Sequence, residues 1–120
     1  MKVLIVDDSR AMRMIVRRTL RQAGFDGITV DEATNGKEGL AKVAEFGPDL
    51  VLSDWNMPEM TGIEFLQALR TQGNNVRFGM VTSEGSMEMR TQAQDLGALF
   101  LLTKPFGPDD FKTALSAAGF

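Results

Sequence analysis

Short β-prone runs recur about every 25 residues along this chain, at Val3 to Val6, Ile28 to Ala33, Leu50 to Ser53, Arg77 to Thr82 and Leu99 to Thr103. A helical pattern follows each. Met12, Ile15, Val16 and Leu20 stand three and four apart after Ser9, a suitable N-cap, and before Gly24, a suitable stop. Leu40, Val43 and Ala44 repeat the pattern before Gly47-Pro48, and Ile63, Leu66 and Leu69 repeat it before Gly73. A fourth helix is predicted from about Ser86 to Leu96, ending at Gly97, and a fifth from about Pro108 to Ala118. Five strand-helix units in strict alternation imply a parallel sheet with helices on both faces. A chain of 120 residues holds one such domain, spanning 1–120, with no linker or repeat.

The runs VLIV and LVL are apolar throughout, as central strands buried on both sides must be, whereas ITVDEA carries acids and suits an edge. Right-handed crossovers then favour the order 2-1-3-4-5. This is a doubly wound, flavodoxin-like α/β sheet, on which ligands bind beyond the carboxyl ends of the strands, where strands 1 and 3 diverge.

Composition narrows the chemistry. There is no cysteine and no histidine, so disulfides, thiolate sites, zinc-type centres and histidine acid-base catalysis are all excluded. A net charge of -3 argues against nucleic acid as a direct partner. No apolar run approaches the ~18 residues of a membrane span, and MKVLIVDD, with acid right after a short apolar run, is a poor signal peptide. The expected setting is the cytoplasm, away from membranes.

The residues just past the strands are Asp7 and Asp8, Asp54, Thr82 and Ser83, and Lys104. On the expected topology they converge on one crevice. Three carboxylates beside one ammonium repel one another, and a divalent cation would relieve them. Oxygen-only ligands, too few for a full cage, point to Mg²⁺. A free oxygen of Asp54 is then placed to attack a phosphoryl group, with Lys104 neutralising charge and Thr82 donating a hydrogen bond. Trp55 and the methionines at 12, 57, 60, 80, 87 and 89 read as packing residues, with Met87 and Met89 the better candidates for an exposed contact surface.

VDDS at 6 to 9, SDWNMPEMTG at 53 to 62, MVTSE at 80 to 84 and LTKPF at 102 to 106 together resemble the receiver domains of bacterial two-component response regulators, and DWNMP resembles their chemotaxis branch. The resemblance covers essentially the whole chain. It implies Asp54 as phospho-acceptor from a histidine kinase. It also implies Asp8 and Asp54 as Mg²⁺ ligands, with the backbone carbonyl of Asn56 and with Asp7 acting through a water. Thr82 and Lys104 would contact the phosphoryl group, and Lys104-Pro105 would be cis. Asn56 and Glu84 occupy the positions at which family members tune hydrolysis, and both match the chemotaxis type, which implies a short-lived signal. The output implied is binding of a downstream protein, such as a flagellar motor switch protein, through a face made by helix 4, strand 5 and helix 5, by a chain that acts as a monomer.

One departure concerns the switch. Where the family commonly has an aromatic residue three positions before the lysine, this chain has Leu101, and it has no tyrosine at all. Phe100 is adjacent but should face the other side of the sheet. The expected readout surface therefore includes Leu101 and Phe106. Gly79 inside strand 4 marks either a weak point or a close approach of backbone. The fifth helix is expected to be about a turn shorter than in the family.

Two other functions compete. An aspartyl-phosphate phosphatase of the haloacid dehalogenase type would need a second aspartate two residues after Asp54, where Asn56 stands and cannot transfer that proton. A receiver excised from a larger DNA-binding regulator is disfavoured by a last helix, PDDFKTALSAAGF, that lacks arginines for dimer pairing.

Overall fold

A computed structural model describes all 120 residues. The elements alternate as expected: β1 (Lys2–Val6), α1 (Arg10–Gln22), β2 (Thr29–Ala33), α2 (Gly36–Phe46), β3 (Leu50–Ser53), α3 (Gly62–Thr71), β4 (Arg77–Thr82), α4 (Met87–Asp95), β5 (Phe100–Thr103) and α5 (Pro108–Ala117). All neighbouring strands are parallel, in the order β2-β1-β3-β4-β5. The flavodoxin-like arrangement read from the alternation is the one observed. Strands β2 and β5 each begin one residue later than expected, at Thr29 and Phe100.

The two-residue period of the strands sorts the core into two layers. Leu4, Val6, Val51, Phe78, Met80 and Leu101 face α2, α3 and α4, where Phe65, Leu66 and Leu69 close the layer. Val3, Ile5, Leu50, Leu52 and Val81 face the other way, onto Val16 and Leu20 of α1 and Phe111 and Leu115 of α5. Phe65 and Phe78 meet edge to face at 5.5 Å, a geometry that adds to their burial.

Not every apolar residue in the helical patterns is buried. Ile15 is 41% exposed and Ala44 is exposed. In α1 the buried place is taken by Thr19, whose hydroxyl donates to the Ile15 carbonyl at 2.7 Å and so carries no unmet polar group inward. In α2 the contact is made by glycines: a Cβ on Gly36 would run into Met60, and one on Gly39 into the Phe65 ring. Gly79 is likewise a close approach, since a Cβ there would overlap the ring of Phe100 on β5.

Helix α3 starts on a reciprocal cap. The Thr61 hydroxyl accepts from the Glu64 N–H at 3.3 Å, while the Glu64 carboxylate accepts from the Thr61 N–H at 3.0 Å. The Thr61 N–H and the Thr61 hydroxyl, which donates to Glu64 Oε1 at 2.9 Å, hold the Glu64 carboxyl below its ordinary value. A carboxyl depressed in the folded state contributes stability at neutral pH that is lost as pH falls through its folded titration. Thr61→Ala is expected to cost about 1 kcal/mol. Thermal melts should show a drop of a few degrees at neutral pH that narrows in acid; a pH-independent drop would remove Glu64 from the account.

Candidate functional site

The hydrogen-bond ladders run one residue beyond three strands. Asp7 N–H donates to the Ala33 carbonyl at 3.1 Å, Asp54 N–H to Val6 at 2.9 Å, and Lys104 N–H to Thr82 at 2.7 Å. This continuation carries the polar residues past the strands in register, so that they meet at the carboxyl edge of the sheet. Asp7, Asp8 and Asp54 each bring a carboxylate oxygen within 4.8 Å of the other two.

The two buried carboxylates are held alike. Asp7 Oδ1 accepts from the Ser9 N–H at 2.9 Å, and Asp54 Oδ1 accepts from the Trp55 N–H at 2.8 Å. Each turns its other oxygen toward one ammonium: Lys104 Nζ stands 3.4 Å from Asp7 Oδ2 and 3.6 Å from Asp54 Oδ2. Burial raises the Asp54 carboxyl above its ordinary value. Lys104 pulls it down, Asp7 pushes it up, and the backbone N–H groups of Trp55 and Asn56 pull it down, with the net shift upward. A single lysine thus leaves the cluster short of positive charge. Oxygen-only donors in excess of their counter-charge fit a hard divalent cation such as Mg²⁺. Asp8, the exposed member, leaves the cluster open to solvent.

The other predicted residues are placed unevenly. Thr82 is fully buried, and its hydroxyl accepts from the Glu84 N–H at 3.4 Å. Asn56 and Glu84 are exposed in the loops after β3 and β4. Lys104-Pro105 is cis, as expected.

The two residues expected on the output surface are placed differently. Leu101 is only 8% exposed and packs in the layer beneath α2, α3 and α4, yet it lines a groove between α4 and β5 with Arg90, Ala93 and Gln94, while the Phe100 side chain packs with the opposite layer as strand alternation requires. Phe106 meets Phe111 edge to face at 5.0 Å and lines a groove with Met12, Ile15 and Pro105, which puts it beside α1, away from α4. Aromatic packing against a buried α5 residue draws it there. Of the two methionines suggested for an exposed surface, Met87 is 79% exposed but Met89 packs against the core; Trp55 and Met57 are buried.

Three contributors escaped the sequence reading. The Ser9 N–H orients Asp7. Arg13 Nη1 donates to the Asp7 carbonyl at 2.7 Å while its Nε pairs with Glu32 at 2.8 Å. Gly62 donates to the Trp55 carbonyl at 2.7 Å and lies so close that a Cβ would overlap the Asp54 carbonyl. Only Gly62 left a trace in the sequence, as a glycine directly after a helix N-cap threonine.

The fold is that of a response-regulator-type α/β domain, and the chain belongs to the response regulator receiver domain family, whose sequence profile matches residues 3–116. It is 42% identical to a probable chemotaxis protein CheY of Rhizobium etli over 97% of this chain and 90% of that protein. It is 34% identical to the sporulation initiation phosphotransferase F of Bacillus subtilis, over 95% of this chain and 90% of that one. Among solved structures, the chemotaxis response regulator CheY4 of Vibrio cholerae superposes with a TM-score of 0.83 at 40% identity, covering 97% of both chains.

Proposed function

We propose that this chain is a phosphorylation-activated switch in which Asp54 accepts a phosphoryl group from a histidine kinase. The observation that carries the reading is the pair of buried carboxylates at neighbouring strand ends, Asp7 and Asp54, sharing the one ammonium of Lys104. Asp54 uses Oδ1 to hold the Trp55 N–H, which leaves Oδ2 as the attacking atom. That oxygen forms a bond to phosphorus as the bond from phosphorus to the donor nitrogen breaks and its electron pair leaves with the imidazole. Lys104, already near Oδ2, moves its charge onto the incoming phosphoryl oxygens. Thr82 exchanges its bond with the Glu84 N–H for one to the phosphoryl group. Asp8, Asp54 and the Asn56 carbonyl would hold Mg²⁺, with Asp7 acting through a water, and the ion would supply further positive charge to the phosphoryl oxygens.

Asn56 and Glu84, exposed at the rim, set how fast water removes the group, and the signal is short-lived. The phosphorylated chain acts in the cytoplasm as a monomer, by binding a protein through the α4-β5-α5 face. Chemotaxis and a flagellar motor switch partner are the favoured setting, supported by relatives named as chemotaxis proteins. The chain's own phosphorylation and dephosphorylation are its only chemistry: Asn56, where a phosphatase needs its second aspartate, cannot act as acid and base. No helix is long and apolar enough to cross a membrane.

Intact-mass measurement after treatment with acetyl phosphate or beryllofluoride, with and without Mg²⁺, tests the reading. The expected result is a metal-dependent adduct on the wild type and none on Asp54→Asn. An unmodified wild type would make the pocket inert and the chain a scaffold.

A further inference from the structure

Helix α1, RAMRMIVRRTLRQ, holds five arginines and no acid, in a chain whose net charge is -3. Arg10, Arg13, Arg17, Arg18 and Arg21 line one shallow concavity of about 400 Å³ along the outer side of the helix, with Met14 among them and Glu32 of β2 at its floor. Glu32 takes Arg13 and Arg17, at 2.8 and 3.1 Å. Arg10, Arg18 and Arg21 are exposed and make no ion pair.

This arrangement works against the helix that carries it. Arginines three and four residues apart repel, and Arg10 in the first turn opposes the helix dipole. Glu32 offsets Arg13 and Arg17, and Arg21 in the last turn suits the dipole, but Arg10 and Arg18 have no such partner. The row is also well ordered at its base, because Arg13 is fixed by both Glu32 and the Asp7 carbonyl, and an ordered charged surface loses less on binding.

We infer that the arginine row of α1 is a docking surface for a carboxylate-rich segment of a partner protein. Charge complementarity and size select that occupant. The row extends over about 16 Å of helix, the reach of a short peptide segment. A duplex or an anionic membrane covers far more of a protein, and a chain of net charge -3 offers no basic surface beyond this row for it to rest on. Met14, 52% exposed in the middle of the row, gives an apolar anchor, and methionine and arginine are each enriched in protein interfaces. Arg13 touches the Asp7 backbone, but Arg10, Arg18 and Arg21 make no hydrogen bond or ion pair with Asp7, Asp54 or Lys104, so the inference holds whether or not Asp54 is the acceptor.

The test is fluorescence anisotropy with a labelled glutamate-rich peptide of about 14 residues with leucine at its centre, beside oligothymidylate and phosphatidylglycerol vesicles of matched label. The proteins are the wild type, the triple variant Arg10→Glu, Arg18→Glu, Arg21→Glu, and the milder triple alanine variant. Each exposed pair contributes a factor of about two, so reversal of three charges should weaken peptide binding at least tenfold. The alanine variant should lie between, and salt should weaken the wild type most. Circular dichroism and thermal melts report whether the variants remain folded, and both should match the wild type within a few degrees. Equal peptide affinity in all three proteins, or no peptide binding by the wild type, would overturn the inference. So would tighter binding of the oligonucleotide or the vesicles through the same arginines.

Discussion

Asp54→Asn is expected to melt higher than the wild type by roughly 3–6 °C at neutral pH without divalent cations, the shift that about 1 kcal/mol produces in a domain of this size. Asp54 is buried beside Asp7, and its carboxyl is held above its ordinary value of 3.8, burial being the main cause. The folded state therefore binds the proton more tightly than the unfolded chain does. Stability contributed by that proton is fully present below the unfolded value and is lost as pH rises through the raised folded value. Asparagine keeps the shape without the charge. The gap between variant and wild type should accordingly be near zero in acid, open as pH rises from the unfolded value to the raised folded value of Asp54, and then stay constant. Added Mg²⁺ should stabilise the wild type and close the gap from its side. Thermal melts over pH, with and without Mg²⁺, measure all of this. A variant that melts lower than the wild type at neutral pH would show that Lys104 more than offsets the burial of the carboxylate.

Lys104→Ala should act in the opposite direction and on both stability and chemistry. Its ammonium is the one cation within 4.0 Å of either buried carboxylate, and its side chain is only 17% exposed. Removing one partner of a buried pair leaves uncompensated charge. At these distances and this residual exposure the expected loss is about 2 kcal/mol, below the range for fully buried pairs. The rate of acetyl-phosphate labelling should fall about a hundredfold, as for loss of one preorganised charge-stabilising group. The two substitutions should not add. In the double variant Asp54→Asn, Lys104→Ala much of the stability lost in Lys104→Ala should return, because one of the two stranded charges has gone. Additive melts across that cycle, or unchanged labelling in Lys104→Ala, would mean that the lysine is an incidental neighbour.

Most of the site was legible because a parallel α/β sheet makes a simple promise. Residues that follow central strands end up on one edge, and here the ladder continues through Asp7, Asp54 and Lys104 to put them there. The apolar character of VLIV and LVL placed their strands in the middle, and the acids of ITVDEA placed the second at the edge. Helix starts were legible where a side chain makes the cap, as at Ser9 and Ser86, whose hydroxyls accept from the N–H three residues on.

Reading helix faces from apolar residues alone went less far. It assigned Ile15 and Ala44 to the core and passed over Gly36 and Gly39, because close helix packing is recorded in a missing side chain and hydrophobicity does not register it. Leu101 and Phe106 were both expected on the face of helix 4, strand 5 and helix 5. Leu101 lies between α4 and β5, mostly buried by strand alternation, and the Phe111 ring holds Phe106 between α5 and α1.

By itself, then, the sequence determined what depends on local periodicity and on residue type: five strand-helix units, their order in the sheet, and an acidic, lysine-bearing edge without histidine or cysteine. Only the tertiary structure decided what depends on distances between segments far apart in the chain. Arg13 reaching the Asp7 carbonyl, Gly62 pressed on Asp54, and Gly79 under Phe100 arise when elements pack. The physical reason is that backbone preferences act over a few residues, whereas packing and burial act between surfaces that exist only once the sheet has formed.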